Sequence, residues 1–160
     1  MTLSEYSNEA AALIERVDSR LDERHAQFVA APPSVEGTQA YLAERVAGYH
    51  ELVDGFDDLD PPEQVAELHA AVENIFGELL AAEQARASFA ATVVSSDTLD
   101  QVWEGPEAQA VRAAELQAIT LCYAAQDQID ETQERAAVGD VPWMPPDLKE
   151  VVRVSFDCPE

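Results

Sequence analysis

The chain has 160 residues, of which 32 are Asp or Glu and 9 are Lys or Arg, so its formal net charge is −23 with histidine neutral. A chain of this length with 47% apolar residues can bury a core as a single domain over residues 1–160, which argues against a disordered protein. The negative charge argues against direct binding of nucleic acid or insertion into an anionic membrane, because phosphates would be repelled.

The first predicted helix covers residues 3–31, where apolar residues recur at steps of three, four or seven. This stripe consists of Leu3, Tyr6, Ala10, Leu13, Val17, Leu21 and Phe28. The spacing of Thr2 and Glu5 matches a capping box, and Ser4 with Ser7 is the alternative cap. Prolines 32 and 33 end the helix, because proline lacks the backbone donor that a helix needs.

A second helix is predicted over residues 35–58, with the apolar stripe Leu42, Val46, Tyr49, Val53 and Phe56. Gly48 and Gly55 are expected to weaken it. The acidic stretch 54–60, which overlaps the end of this helix and leads into two prolines, is interpreted as a solvated turn. It fits a calcium-binding loop poorly, because the glycine is misplaced and prolines follow at once.

A third helix is predicted over residues 62–95, with Asp60 as its N-cap and a strong apolar period. A fourth helical region is predicted over 98–137, broken near Gly105 and Pro106. Residues 138–160 are rich in proline and β-branched residues, and we interpret them as an extended tail that packs across the helices with Trp143 as its anchor.

Four long helical segments with short connections predict an all-α fold, arranged as an antiparallel four-helix bundle with up-down-up-down topology and an extended C-terminal tail. In the alternative arrangement, the first helix splays away from the others and uses the same apolar stripe to pack on a partner.

The residue patterns of common catalytic and metal sites are missing from the sequence. It contains no Gly-x-Ser-x-Gly motif and no glycine-rich phosphate loop, and none of its three histidines has the Glu-x-x-His spacing of a di-iron site. We interpret His69 as a boundary or surface histidine. The sequence therefore predicts a protein that is not an enzyme and that needs no metal or cofactor.

The two cysteines and two tryptophans are the candidate functional residues. Cys122 and Cys158 either form a disulfide that pins the tail onto the fourth helix or remain free thiols. Trp103 and Trp143 both lie beside Pro or Gly breaks, and they are candidates for an interface if they are exposed at one end of the bundle.

Two sequence blocks and the cysteine pair carry a resemblance to a known group. The blocks are Leu3-Ser4-Glu5-Tyr6 with Arg20-Leu21-Asp22, and Leu59-Asp60-Pro61-Pro62-Glu63 with Glu67-Leu68-His69; Cys122 follows Glu115-Leu116-Gln117-Ala118-Ile119. In these features the chain resembles uncharacterised bacterial extracytoplasmic helical domains, often lipoproteins of high-GC organisms. The resemblance implies a secreted or membrane-tethered helical domain with a Cys122–Cys158 disulfide, and no enzymatic activity.

The leading functional hypothesis is a noncatalytic extracytoplasmic helical module that binds or scaffolds another protein or the cell envelope. The N-terminal residues lack the basic region and apolar core of a signal peptide, so this hypothesis requires a signal removed before Met1. The alternative is an acidic cytoplasmic inhibitor or nucleic-acid mimic that binds a basic protein, which the charge of −23 favours. A protein partner is expected in both cases.

Overall fold

The computed structural model describes residues 1–138, apart from the side chains of residues 3, 4, 64, 122 and 125–138. Helix α1 covers Leu3–Ala30, α2 covers Val35–Asp57, α3 covers Ala66–Ala90, α4 covers Asp100–Glu104 and α5 covers Pro106–Val138. Short 3₁₀ turns lie at Glu63–Val65 and Ser96–Thr98, and the described residues contain no strand. The prediction of an all-α fold is confirmed.

The starts of the first two helices follow from their capping residues. The Thr2 side chain accepts from the Glu5 backbone N–H, and the Glu5 carboxylate accepts from the Thr2 backbone N–H at 2.8 Å, so the predicted capping box is confirmed. At the start of α2, the Ser34 hydroxyl accepts from the backbone N–H of Gly37 at 3.0 Å. Each cap satisfies a donor that has no partner within its helix.

The third helix is shorter at both ends than the pattern predicts. The prediction that Asp60 caps it is wrong, because a 3₁₀ turn after Pro62 leads into α3 and Val65 stands at the cap position without a side-chain hydrogen bond. The helix ends at Ala90 rather than near residue 95. Gly105 then separates α4 from α5, which begins with Pro106, a residue suited to the first turn.

The described side chains form two apolar clusters that lie along the helices. The first, which we call the Phe56 cluster, contains Ala10, Leu13, Val17, Leu52, Phe56 and Val72. The second, the Leu42 cluster, contains Tyr41, Leu42, Ala90, Val93, Leu99 and Val102. Helix α2 packs against α1 and α3, and α5 packs against α3. Every long helix therefore contributes to the core.

Two glycines of α2 allow α1 to approach closely. A Cβ atom added at Gly55 would lie 2.5 Å from Cδ2 of Leu13, and one added at Gly48 would lie 3.0 Å from Cδ2 of Leu21. Gly48 and Gly55 are seven residues apart, a spacing that places both on the same face of a helix. Their lower helix propensity is thus accompanied by a packing role that the sequence pattern did not reveal.

Candidate functional site

Trp103, one of the two predicted interface residues, is half-buried beside the Leu42 cluster. Its ring lies 5.5 Å from the ring of Phe28 and 6.1 Å from that of Tyr41, centroid to centroid. The Arg86 guanidinium carbon lies 5.2 Å from the centre of the Trp103 ring. Much of the Trp103 surface therefore packs within the protein, and only part of it is open to a partner.

The remaining predicted site residues lie wholly or partly outside the described part of the chain. Cys122 belongs to α5, but its side chain is outside the described part of the protein. Cys158, Trp143 and the predicted tail over residues 138–160 lie outside the described residues, apart from Val138, the last residue of α5. The Cys122–Cys158 disulfide and the shared exposure of the two tryptophans stay predictions.

A buried polar pair joins the first helix to the third. The hydroxyl of Tyr6 lies 3.0 Å from Nδ1 of His69, and both side chains are buried. The His69 ring also stacks on Phe56, and its Nε2 lies 4.0 Å from a carboxylate oxygen of Glu73. The interpretation of His69 as a boundary or surface residue is wrong, because the first turns of α1 and the Phe56 side chain cover its ring.

A second set of polar side chains surrounds Glu83, whose own side chain is completely buried. Arg86 donates to both of its carboxylate oxygens, with Nη2 2.7 Å from each and Nε 3.0 Å from Oε2. Arg45 of α2 donates from Nε to Oε1 at 2.5 Å and reaches Glu115 of α5 through Nη2 at 3.3 Å. Glu83 is therefore paired with two guanidinium groups, as a buried carboxylate requires.

The ionic state of Arg45 follows from these contacts. Burial alone would lower the pKa of its guanidinium, but the adjoining Glu83 carboxylate raises that pKa above its usual value, so Arg45 stays charged. The hydroxyl of Tyr49 accepts from Arg45 Nη2 at 3.4 Å. Burial raises the pKa of Tyr49 although Arg45 opposes this, so the phenol stays protonated at neutral pH.

The arginines on α1 form ion pairs with carboxylates of α2. Arg16 and Arg20 pair with the two carboxylate oxygens of Glu51 at 2.8 and 2.7 Å, and Arg24 approaches Glu44 at 3.9 Å. The two guanidinium groups lower the pKa of Glu51 below its usual value. Since Arg45 and Arg86 hold Glu83 and Arg112 donates to the Trp103 carbonyl, every arginine within residues 1–138 except Arg135, whose side chain is not described, has a protein acceptor.

The opposite side of α1 carries exposed carboxylates, which we call the acidic face: Glu15, Asp18 and Asp22. Their spacing of three and four residues places them on one side of the helix. None of the three forms an ion pair with the part of the chain that the structure describes. Partial desolvation raises the pKa of Asp18, and the neighbouring Asp22 carboxylate raises it further.

The described residues contain neither a cluster of metal-ligating side chains nor a helix that could span a membrane. No group of three His, Cys, Asp or Glu side chains there is close enough to hold a metal ion. None of the helices in the same part of the chain is long and apolar enough to cross a membrane.

Sequence reasoning missed the Glu83 group and the arginine row, although both have a signal in the sequence. Glu83 and Arg86 follow Leu79 at steps of four and seven, so the helical period itself places two charges on the apolar stripe of α3. Arg16, Arg20 and Arg24 recur at steps of four, which predicts one cationic row. The sequence gives no indication of which carboxylates these arginines bind.

Comparison of the chain with protein-family models, with curated proteins and with solved structures found no match.

Proposed function

We propose that this protein is a noncatalytic helical module that binds a basic protein partner through the acidic face of α1. The observation that carries the proposal is the division of charge across this helix. Its arginines pair with Glu51 and Glu44 of α2, whereas Glu15, Asp18 and Asp22 are exposed and form no ion pair with the described side chains. The face thus presents three carboxylates that a cationic surface can neutralise.

The energetics of the acidic face agree with this role. Asp18 and Asp22 form a like-charge pair one helical turn apart, and such pairs destabilise a helix by about 0.2–0.5 kcal/mol. A partner that brings Lys or Arg side chains to the face would remove this repulsion. The net charge of −23 would also speed the encounter with a cationic protein, and the affinity would fall as salt screens the attraction.

The proposal is tested by affinity capture with a charge-matched control. The face variant is E15Q/D18N/D22N, and the control variant E9Q/D54N/E104Q removes three exposed carboxylates that are spread over α1, α2 and α4. Each variant and the wild type are immobilised, exposed to a bacterial lysate at 50 mM and 500 mM salt, and the retained proteins are identified by mass spectrometry. Binding constants are then measured with the purified candidate.

We expect a basic protein that the wild type and the control retain at low salt and that the face variant loses. An equal loss with both variants would show that overall charge, rather than the acidic face, attracts the partner. In that case, or if no basic protein prefers the wild type, the proposal is wrong.

For the arrangement of the helices, we propose the antiparallel up-down-up-down bundle. Contacts between opposite helix ends support it. Phe28 near the end of α1 stacks on Tyr41 near the start of α2, at 4.5 Å between centroids. Gln39, also near the start of α2, donates to the carbonyl of Ala90 at the end of α3. Phe56 at the end of α2 meets His69 in the first turn of α3.

As a second functional candidate, we propose that the module acts outside the cytoplasm, on the cell envelope or on another protein there, with Cys122 bridged to Cys158. The support is the resemblance of the sequence blocks to extracytoplasmic helical domains. The test is intact mass after alkylation without reductant, on protein exported through an oxidising compartment. Monomeric protein without label would support the bridge. Labelling of both cysteines under denaturing conditions would contradict it and favour the cytoplasmic alternative.

A further inference from the structure

The paired charges around Glu83 lie between the two apolar clusters. Along α2, Leu42 belongs to the Leu42 cluster, Arg45 follows it, and Leu52 belongs to the Phe56 cluster. Along α3, Glu83 lies between Val72 of the Phe56 cluster and Ala90 of the Leu42 cluster. The ionic layer, which we define as Arg45, Glu83, Arg86 and Glu115, therefore divides the core into two apolar parts.

The ionic layer joins three helices through directional contacts. Arg45 of α2 bridges Glu83 of α3 and Glu115 of α5, while Arg86 holds both oxygens of Glu83 from the same helix. The formal charges of the four side chains sum to zero. Glu83 has no exposed surface, so a displaced neighbour would leave its charge without solvent to replace the lost partner.

The apolar clusters on either side of the ionic layer distinguish one helix alignment from another less strictly than the ionic contacts do. Ten of their twelve buried members have aliphatic side chains, which pack without directional requirements, and α3 and α5 are rich in alanine. Sliding one helix along another by a turn, about 5.4 Å, would bring other small or apolar residues into contact. The same shift would separate the buried Arg45 guanidinium from Glu83, whereas Arg86 would stay with Glu83 because both belong to α3.

We infer that the ionic layer sets the alignment of α2, α3 and α5, and that it contributes specificity of packing rather than net stability. Removing two charges from water costs about as much as their attraction returns, so an apolar layer of similar volume is about equally stable. The alternative alignments, in contrast, each take the buried Arg45 away from Glu83. A single buried polar layer selects the register of coiled coils for the same reason.

Two variants separate specificity from stability. E83Q keeps the shape of the side chain but takes the counter-charge from Arg86 and leaves Arg45 with Glu115 alone. We expect its melting temperature to fall by about 10 °C or more. The apolar variant R45M/E83L/R86M removes the whole buried part of the layer, and we expect its melting temperature to stay within about 5 °C of the wild type.

The decisive readout on the apolar variant is its NMR spectrum. The wild type should show one set of amide peaks, with ring-to-ring contacts between α2 and α3 that join Phe56 to His69 and Phe56 to Phe76. The apolar variant should show doubled or broadened peaks, and both ring contacts should weaken. One sharp set of peaks with the wild-type contacts would overturn the inference. An unfolded apolar variant would also overturn it, since the layer would then supply stability. The same holds if E83Q has the melting temperature of the wild type.

Discussion

The hydroxyl of Tyr6 lies 3.0 Å from Nδ1 of His69, and this buried hydrogen bond joins the first turns of α1 to the first turns of α3. The two residues are 63 positions apart in the sequence. Burial raises the pKa of the Tyr6 phenol to about 12. The phenol therefore stays protonated over the whole neutral range, and it donates to His69 in the tautomer whose Nδ1 carries no proton.

This contact predicts a specific loss of stability at high pH. An unfolded tyrosine ionises near pH 10, whereas Tyr6 in the folded protein ionises near pH 12. Because the folded state keeps its proton longer, the contribution of Tyr6 is fully present below pH 10. It falls by up to about 1.4 kcal/mol per pH unit between pH 10 and 12. Urea unfolding of the wild type and Y6F at pH 8, 10 and 11.5 measures this change.

The Y6F variant supplies the reference for other alkaline effects, since the remaining tyrosines titrate in both proteins. The difference in free energy of unfolding between the two proteins should be constant up to pH 10 and shift against the wild type above it. A difference that stays constant to pH 11.5 would contradict the burial of the Tyr6 hydroxyl.

Replacing glycine with alanine should change stability in opposite directions at Gly55, which lies against α1, and at Gly77, where an added methyl group meets no other atom. G55A adds a methyl group 2.5 Å from Cδ2 of the buried Leu13, so we expect a loss of about 1–3 kcal/mol in the free energy of unfolding. Gly77 of α3 has no atom within 4 Å of an added Cβ. G77A should therefore stabilise the protein by about 0.5–1 kcal/mol through helix propensity. Chemical denaturation of both variants provides the test, and stabilisation by G55A would show that α1 lies farther from α2.

Replacing Ser34 with alanine should destabilise the protein, although alanine has the higher helix propensity. S34A removes the acceptor for the Gly37 backbone N–H, which should cost about 1 kcal/mol. S88A, at an exposed position within α3, should instead stabilise the protein by up to about 0.5 kcal/mol because alanine is the better helix former. Thermal unfolding compares the two variants, and equal melting temperatures would mean that the Ser34 contact contributes nothing.

The acidic face predicts that one of its charges opposes folding. D22N removes the like-charge neighbour of Asp18, so the free energy of unfolding at pH 7 should rise by about 0.2–0.5 kcal/mol. Since the raised pKa of Asp18 means that the folded state binds its proton more tightly, the unfavourable contribution is fully present at neutral pH. It disappears as pH falls below the usual Asp range. Urea unfolding at pH 7 and pH 3 should show a gain at pH 7 only, and an equal gain at both would exclude charge repulsion as its cause.

Much of the helical structure was predictable because its determinants lie close together in the sequence. The capping box of Thr2 and Glu5 and the stop at Pro32 each depend on residues within one turn of the helix end. Asp60 shows the limit of this reasoning. Its position suits an N-cap, but the chain forms a 3₁₀ turn first and α3 begins at Ala66.

The candidate site was less predictable because the charged residues could be recognised but not paired. The steps of four between Arg16, Arg20 and Arg24 show a cationic row, yet its partner Glu51 lies on another helix. The exposed side of the same helix becomes an acidic face only once those arginines are known to turn away from it. The charge of −23 gave no indication of this division.

Local sequence patterns were enough to predict that the chain is helical, where α1 and α2 begin, and which residues form the apolar stripes, because the helical period and the caps are local properties. Three contacts arise only when the helices pack together: His69 with Tyr6, Gly55 with Leu13, and Glu83 with Arg45. Each of these contacts joins positions on different helices. Their energies depend on the distance and solvent exposure that packing creates, and neither quantity is encoded by any short stretch of residues.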